Sequence, residues 1–120
     1  MNEQSLQESL VIYIKLKYNK LRYCSSLGGI RTTMKQAIKA KKSGYVRGFP
    51  DLQILEARGG FFGLFIELKT LKGRPTKYQK EWIEDLKDLG YSAQICKGID
   101  QAIYCIDKYM KMNKTPRIKC

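Results

Sequence analysis

Residues 48–70 read GFPDLQILEARGGFFGLFIELKT, and the fold turns on how this stretch divides. Asp51–Ala57 and Phe61–Thr70 are rich in Leu, Ile and Phe and flank Arg58-Gly59-Gly60, the pattern of a β-hairpin. Pro50 suits a strand entrance, where a missing N–H does no harm. Side chains alternate along a strand, so Glu67 and Lys69 share one face while Leu68 takes the opposite, buried one. Folding back at Arg58–Gly60 brings Asp51 alongside Glu67 and Lys69 at one edge of the sheet.

Downstream of the hairpin, Thr76–Leu89 is an amphipathic helix. Tyr78, Trp82, Ile83, Leu86 and Leu89 lie on one side and Gly90 follows as its stop. Tyr91–Lys97 is a further strand. Asp100 is placed to cap a last helix reaching Met112, with Ile99, Ile103, Ile106 and Met110 as its apolar edge, and residues 113–120 read as a frayed basic tail. Upstream, Leu6, Leu10 and Ile14 predict a helix over residues 2–18, widened by Val11 and Leu16 and capped by Asn2. Leu21–Ser26 is a short strand, and Thr32 or Thr33 starts a helix over Met34–Lys42 with Gly44 beyond it. The order is αβα–ββ–αβ–α, an α/β chain in which helices pack on a mixed sheet. Residues 1–112 form one domain with no repeat and no internal linker.

The chain has 120 residues, with 23 Lys and Arg against 11 Asp and Glu, no histidine and a formal charge of +12. Ten of the basic residues fall in the first fifty positions, against only Glu3 and Glu8. Such an excess repels itself and calls for a polyanion, nucleic acid before all others. No helix pairs a basic face with a strongly apolar one, so a membrane surface fits less well. With no signal peptide and no long apolar run, the chain reads as soluble and intracellular, in the cytoplasm or the nucleus of a eukaryotic host. The lack of histidine excludes Ser–His–Asp and Cys–His nucleophiles, His-ligated zinc and an imidazole general base. Cys24, Cys96, Cys105 and Cys120 contain no C-x-x-C pair. The first three lie in apolar segments and read as small core residues, and Cys120 as exposed.

Chemistry must therefore rest on carboxylates, lysines, hydroxyls or thiols. Asp51 and, after fifteen intervening residues, Glu67-Leu68-Lys69 bring two carboxylates and an ammonium together. Hard oxygen ligands hold Mg²⁺, which accepts a phosphate oxygen and lowers the pKa of a bound water. A lysine beside it would hold or help deprotonate the attacking water and stabilise the transition state. The same residues also suit a turn after proline and a surface ion pair. Gln79 is three residues beyond Thr76, the spacing of a capping box. Trp82 reads as core rather than as a base-stacking platform, whereas Tyr18, Tyr23 and Tyr45, set among basic residues, suit either role. Lys35, Lys39, Lys41, Lys42 and Arg47, with Arg31 after Gly28-Gly29, are the candidate phosphate contacts.

Gly48-x-Pro50-Asp51, Ile66-Glu67-Leu68-Lys69, Gly73, and Gln79 after Thr76 resemble the VRR-NUC (virus-type replication-repair nuclease) branch of the PD-(D/E)xK nucleases, over residues 3 to 97. The resemblance implies a restriction-endonuclease-like core and a Mg²⁺- or Mn²⁺-dependent DNA endonuclease. On it, Asp51, Glu67 and the Leu68 carbonyl are metal ligands, Lys69 is the catalytic lysine, and Gln79 positions it or the water. Glu3, followed by Gln7, matches the acid of the family's first helix, which implies that it reaches the metal site directly or through water, although a Glu in a first turn is also favoured by the helix dipole. Cys24-Ser25-Ser26 stands where the family often has Asn or His. Stand-alone relatives imply a homodimer on branched DNA such as four-way (Holliday) junctions. A flap, single-strand or nicking nuclease and a non-catalytic basic binding module are the rivals. So small a nuclease suits a phage or other virus.

Overall fold

A computed structural model describes residues 1–26 and 33–117 of the chain. Gly28, Gly29, Arg31 and Cys120, singled out above, lie outside them. Four helices and four strands follow in the expected order. They are α1 (Glu3–Lys17), β1 (Tyr23–Ser25), α2 (Met34–Lys42), β2 (Leu52–Ile54), β3 (Leu64–Lys69), α3 (Lys77–Asp88), β4 (Ser92–Lys97) and α4 (Gly98–Lys111). The sheet runs β1-β2-β3-β4. The pairs β1–β2 and β2–β3 are antiparallel and β3–β4 is parallel, joined through α3.

Alternation along β3 decides the layers. Leu64, Ile66 and Leu68 face a core built with Leu6, Leu10 and Ile14 of α1 and Ala102, Ile106 and Tyr109 of α4. Phe65 faces the other side, toward Ile83 and Leu86 of α3, with Phe49 and Trp82 packed on them. Central position and cover on both faces leave every β3 residue buried, Glu67 and Lys69 included.

The hairpin forms, with Leu52 opposite Ile66 and Ile54 opposite Leu64. Its tip is a two-residue turn in which Phe61 N–H donates to the Arg58 carbonyl at 2.8 Å. Gly59 and Gly60 have φ of +59° and +87°, the doubly positive geometry of a type I′ turn, which glycine adopts without strain. The β2–β3 ladder is shorter than Asp51–Ala57 and Phe61–Thr70 because a different partner takes the hairpin's outer half. Gly59 N–H donates to the Asn113 carbonyl, Thr115 N–H to the Ala57 carbonyl and Gly60 N–H to Thr115 Oγ1. Residues 113–115 are therefore docked on the hairpin, not frayed. Tyr109 locks the junction, its hydroxyl donating to the Glu56 carbonyl at 2.6 Å and accepting from Arg58 N–H.

Several local readings change. The last helix starts at Gly98, with Lys97 at the cap and its N–H held by Gln101 Oε1, so Asp100 sits in the first turn and does not cap. Leu16 and Leu89, assigned to apolar stripes, are 82% and 64% exposed. Cys24 is exposed on the edge strand β1, while Cys96 is core as expected. Asn2 caps α1, its side chain accepting from Ser5 N–H. Trp82 is architecture. Its ring sits edge-on to Phe49 and its Nε1 donates to the Arg47 carbonyl at 3.0 Å. Among the described residues, no helix is long and apolar enough to cross a membrane.

Candidate active site

Three elements converge at the C-terminal end of β3. Glu67 and Lys69 project from the α3 side of the strand, where Leu68 cannot interfere because it is sunk in the opposite core. Asp51 enters from the residue before β2. Its Oδ2 accepts from Leu68 N–H at 2.7 Å, which fixes the carboxylate beside Glu67. The N–H and C=O of one strand residue point to the same edge, so the Leu68 carbonyl also faces this side. Glu3 arrives from the first turn of α1. Oxygens of Glu3, Asp51 and Glu67 all lie within 4.8 Å of one another.

Lys69 Nζ lies 3.3 Å from Glu3 Oε1 and 3.5 Å from Glu67 Oε2, so one ammonium bridges two acids. The direct Glu3–Lys69 pair is an addition to the sequence reading, which placed the two residues at one site without pairing them. Gln79 makes the expected capping box, and its bond at the site goes to Glu67 and not to Lys69, one of the two groups that the resemblance implied it would position. Its Oε1 accepts from Thr76 N–H at 2.8 Å, completing the capping box, while Nε2 donates to Glu67 Oε2 at 3.0 Å. An amide has a donor end and an acceptor end, and here the helix cap holds one so that the other is aimed.

Gly48 makes this approach possible. Its φ is +88°, and a Cβ there would lie 2.8 Å from the Tyr78 backbone and 3.0 Å from Gln79 N. The loop carrying Asp51 thus packs directly on the first turn of α3, which only glycine permits.

Electrostatics at the site is strained. Burial, then the Asp51 carboxylate beside it, push the Glu67 carboxyl up to about 9. Asp51 is also raised, chiefly by burial, with the Leu68 N–H opposing. Like charges so close resist joint ionisation, so the pair favours added positive charge beside it. Glu67 Oε1 is buried with no hydrogen-bond partner among the described residues. An orphaned buried oxygen in a cluster of acids is what a site for a cation leaves behind.

Tyr45 is a neighbour that the sequence did not single out for this site. Burial raises its phenol, and the charges of Asp51 and then Glu67 raise it further. The available signal was its position six residues before Asp51. The candidate phosphate contacts lie elsewhere. Lys35, Lys39, Lys41 and Lys42 are all exposed on α2. Arg47 is exposed beside α3, its guanidinium 4.5 Å over the Tyr78 ring. Tyr18 belongs to structure, its hydroxyl donating to Asp107 at 2.6 Å, and Tyr23 packs against the core edge.

No curated protein matches the sequence. A solved structure of a "VRR_NUC domain protein" superposes with a TM-score of 0.79 at 31% identity, covering 95% of this chain and 92% of that one. A sequence model of the VRR-NUC domain matches residues 2–100, which include Glu3, Asp51, Glu67, Lys69 and Gln79. On that match and that shared architecture, the chain belongs to the VRR-NUC domain family and is a nuclease.

Proposed function

We propose that the chain is a Mg²⁺- or Mn²⁺-dependent, structure-specific DNA endonuclease that hydrolyses phosphodiester bonds in branched DNA such as four-way junctions, working as a homodimer. The observation that carries this reading is the meeting of the Glu3, Asp51 and Glu67 oxygens within 4.8 Å beside the Lys69 ammonium. Three carboxylates aimed at one point are stable together only around positive charge. Lys69 supplies one charge, and the unpartnered Glu67 Oε1 marks where more is needed. Asp51, Glu67 and Glu3, with the Leu68 carbonyl, would hold the cation, an all-oxygen set of the kind Mg²⁺ takes. When bound, such a cation lowers the pKa of a water and neutralises charge growing on the phosphate.

The chain's own groups do the rest. Lys69, as an ammonium, holds the attacking water, and its charge faces the phosphoryl oxygens. Gln79 keeps Glu67 Oε2 in place through an amide whose other end is fixed by the helix cap. Asp51 is oriented by the Leu68 N–H. Recognition rests on backbone charge and shape, with Lys35, Lys39, Lys41, Lys42, Arg47 and Arg31 as phosphate contacts. One carboxylate cluster per chain, among the described residues, cuts one strand. A symmetric cut across a junction then takes two chains related by a two-fold axis. The same core acting singly would nick duplexes or trim flaps.

Labelled four-way junction, flap, duplex and single-stranded DNA incubated with Mg²⁺, Mn²⁺ or EDTA test the proposal. Expected is metal-dependent, paired incision of the junction, abolished in Glu67→Ala and Lys69→Ala, by a protein that light scattering finds dimeric. Cleavage that survives in either variant refutes the site. Faster cutting of flaps or nicked duplex by a monomer refutes the junction reading.

A further inference from the structure

A second concavity opens where β3 ends. It has a volume of about 640 Å³ and is walled by the chain just after Lys69 on one side and by the start of α4 on the other. Its apolar surface comes from Leu6, Leu71 and Ile99, its positive charge from Lys72 and Lys97. It adjoins the carboxylate cluster on two walls. Thr70 follows Lys69 directly, and Met1 and Leu6, which also line the cavity, bracket Glu3 on α1. Leu71 is 77% exposed, an apolar side chain that the fold itself does not use.

We propose that this cavity receives one unpaired nucleotide of the DNA strand, next to the phosphate held at Glu3, Asp51 and Glu67. The proposal rests on reading that cluster as a DNA-cleaving site. The volume falls within the range of about 300–1,000 Å³ usual for small-ligand pockets. An apolar wall with lysines at its edge suits a ligand with a flat body and an anionic backbone. Extruded bases are held between apolar or aromatic side chains and read at their hydrogen-bonding edge. Asp100 and Gln101 also line the cavity and set that reading. Gln101 Oε1 is taken by Lys97 N–H at 2.9 Å, which leaves its amide nitrogen as the donor. Asp100 is an acceptor. It repels a phosphate inside the cavity, so the backbone stays at the lysine edge and the base enters. One acceptor and one donor can meet the paired donor and acceptor that every base carries on its edge, so the cavity holds a base without selecting its identity.

The test uses the full chain in EDTA, so that binding is read without cleavage. A branched DNA carries 2-aminopurine stepped through each unpaired position, and fluorescence reports burial of that base. One position, beside the phosphate that is cut when Mg²⁺ is present, is expected to respond. There, a base is expected to bind about tenfold tighter than an abasic residue. Leu71→Asp is expected to remove that advantage. No responding position, or a response unchanged in Leu71→Asp, overturns the proposal. So does equal binding of the base and the abasic residue. A protein that cuts the junction without any response loses only the nucleotide cavity. One that shows the response but cuts no DNA loses only the nuclease reading of the cluster.

Discussion

The site is costly at the level of single side chains, and the cost is measurable. Glu67 is 2% exposed, held beside Asp51, and has one oxygen without a partner among the described residues. Replacing it by Gln removes the ionisable carboxyl and keeps the shape, so Glu67→Gln is expected to abolish cleavage while stabilising the cation-free protein by ~1 kcal/mol, a few degrees in Tm. Calorimetry in EDTA decides this, and a lower Tm in the variant would remove the claim of strain. Gly48 carries the opposite prediction. Gly48→Ala forces a Cβ against Tyr78 at a positive φ, and is expected to cost ~2–3 kcal/mol in denaturant unfolding and to reduce cleavage by tilting the turn that carries Gln79. At this scale much was legible from the sequence. Strand alternation put Glu67 and Lys69 on one face and the hairpin brought Asp51 to them, because both follow from local geometry. Tyr45 and the Glu3–Lys69 pair were not legible, since each depends on how a distant segment folds over the site.

Elements succeed or fail by what they are packed against. The sequence marked α2 at Met34–Lys42, the bounds found, because Thr33 and Gln36 form a capping box, a purely local device. Packing is what α2 lacks. All nine of its residues are exposed, with Met34 at 80% and Ile38 at 51%, and among the described residues it touches no other helix or strand. A helix so short without tertiary contacts is marginal in water. Its amides are therefore expected to exchange with deuterium almost as fast as unstructured chain, and to become protected when DNA is added. Protection that is equally strong without DNA refutes this. The strands were read too long for the converse reason. Residues 57–60, the end of the first expected strand and the turn, pair with residues 113–115, a long-range competition that no local pattern records. Between α1 and α4, Asp107 accepts from Tyr13 and Tyr18 and pairs with Lys17 at 3.2 Å. Burial alone would raise its carboxyl, but the bonds from Tyr18, Tyr13 and Lys17 outweigh that and hold it below the ordinary range. A depressed carboxylate contributes stability that is present above its unfolded pKa of about 3.9 and is lost as pH falls through the folded value. Asp107→Asn is expected to flatten the acid limb of the stability–pH curve and to cost ~1–2 kcal/mol at neutral pH.

Across the whole molecule the charge of +12 is unevenly placed, and the sequence already showed its bias toward the first fifty residues. The structure adds that α2 holds four lysines clear of the core, whereas Glu81, Glu84, Asp85 and Asp88 occupy the exposed side of α3. DNA is thus drawn more strongly to α2 than to the outer face of α3, where exposed Lys77, Lys80 and Lys87 offset the acids. This arrangement predicts how affinity depends on salt. Each phosphate neutralised by a Lys or Arg releases counterions and contributes a slope of about −0.9 to log K against log salt. Lys39→Ala, Lys41→Ala and Lys42→Ala combined are therefore expected to reduce the slope by ~2–3. The loss should be equal for DNAs of unrelated sequence, because phosphate contacts carry no base information. The three lysines lie outside the carboxylate cluster, so turnover at saturating DNA is expected to stay near the parent value while KM rises. A salt titration by fluorescence anisotropy, paired with steady-state cleavage, separates these terms. An unchanged slope would mean that the lysines of α2 do not meet the backbone. A fall in turnover with an unchanged KM would mean that α2 acts on the chemistry and not on the grip.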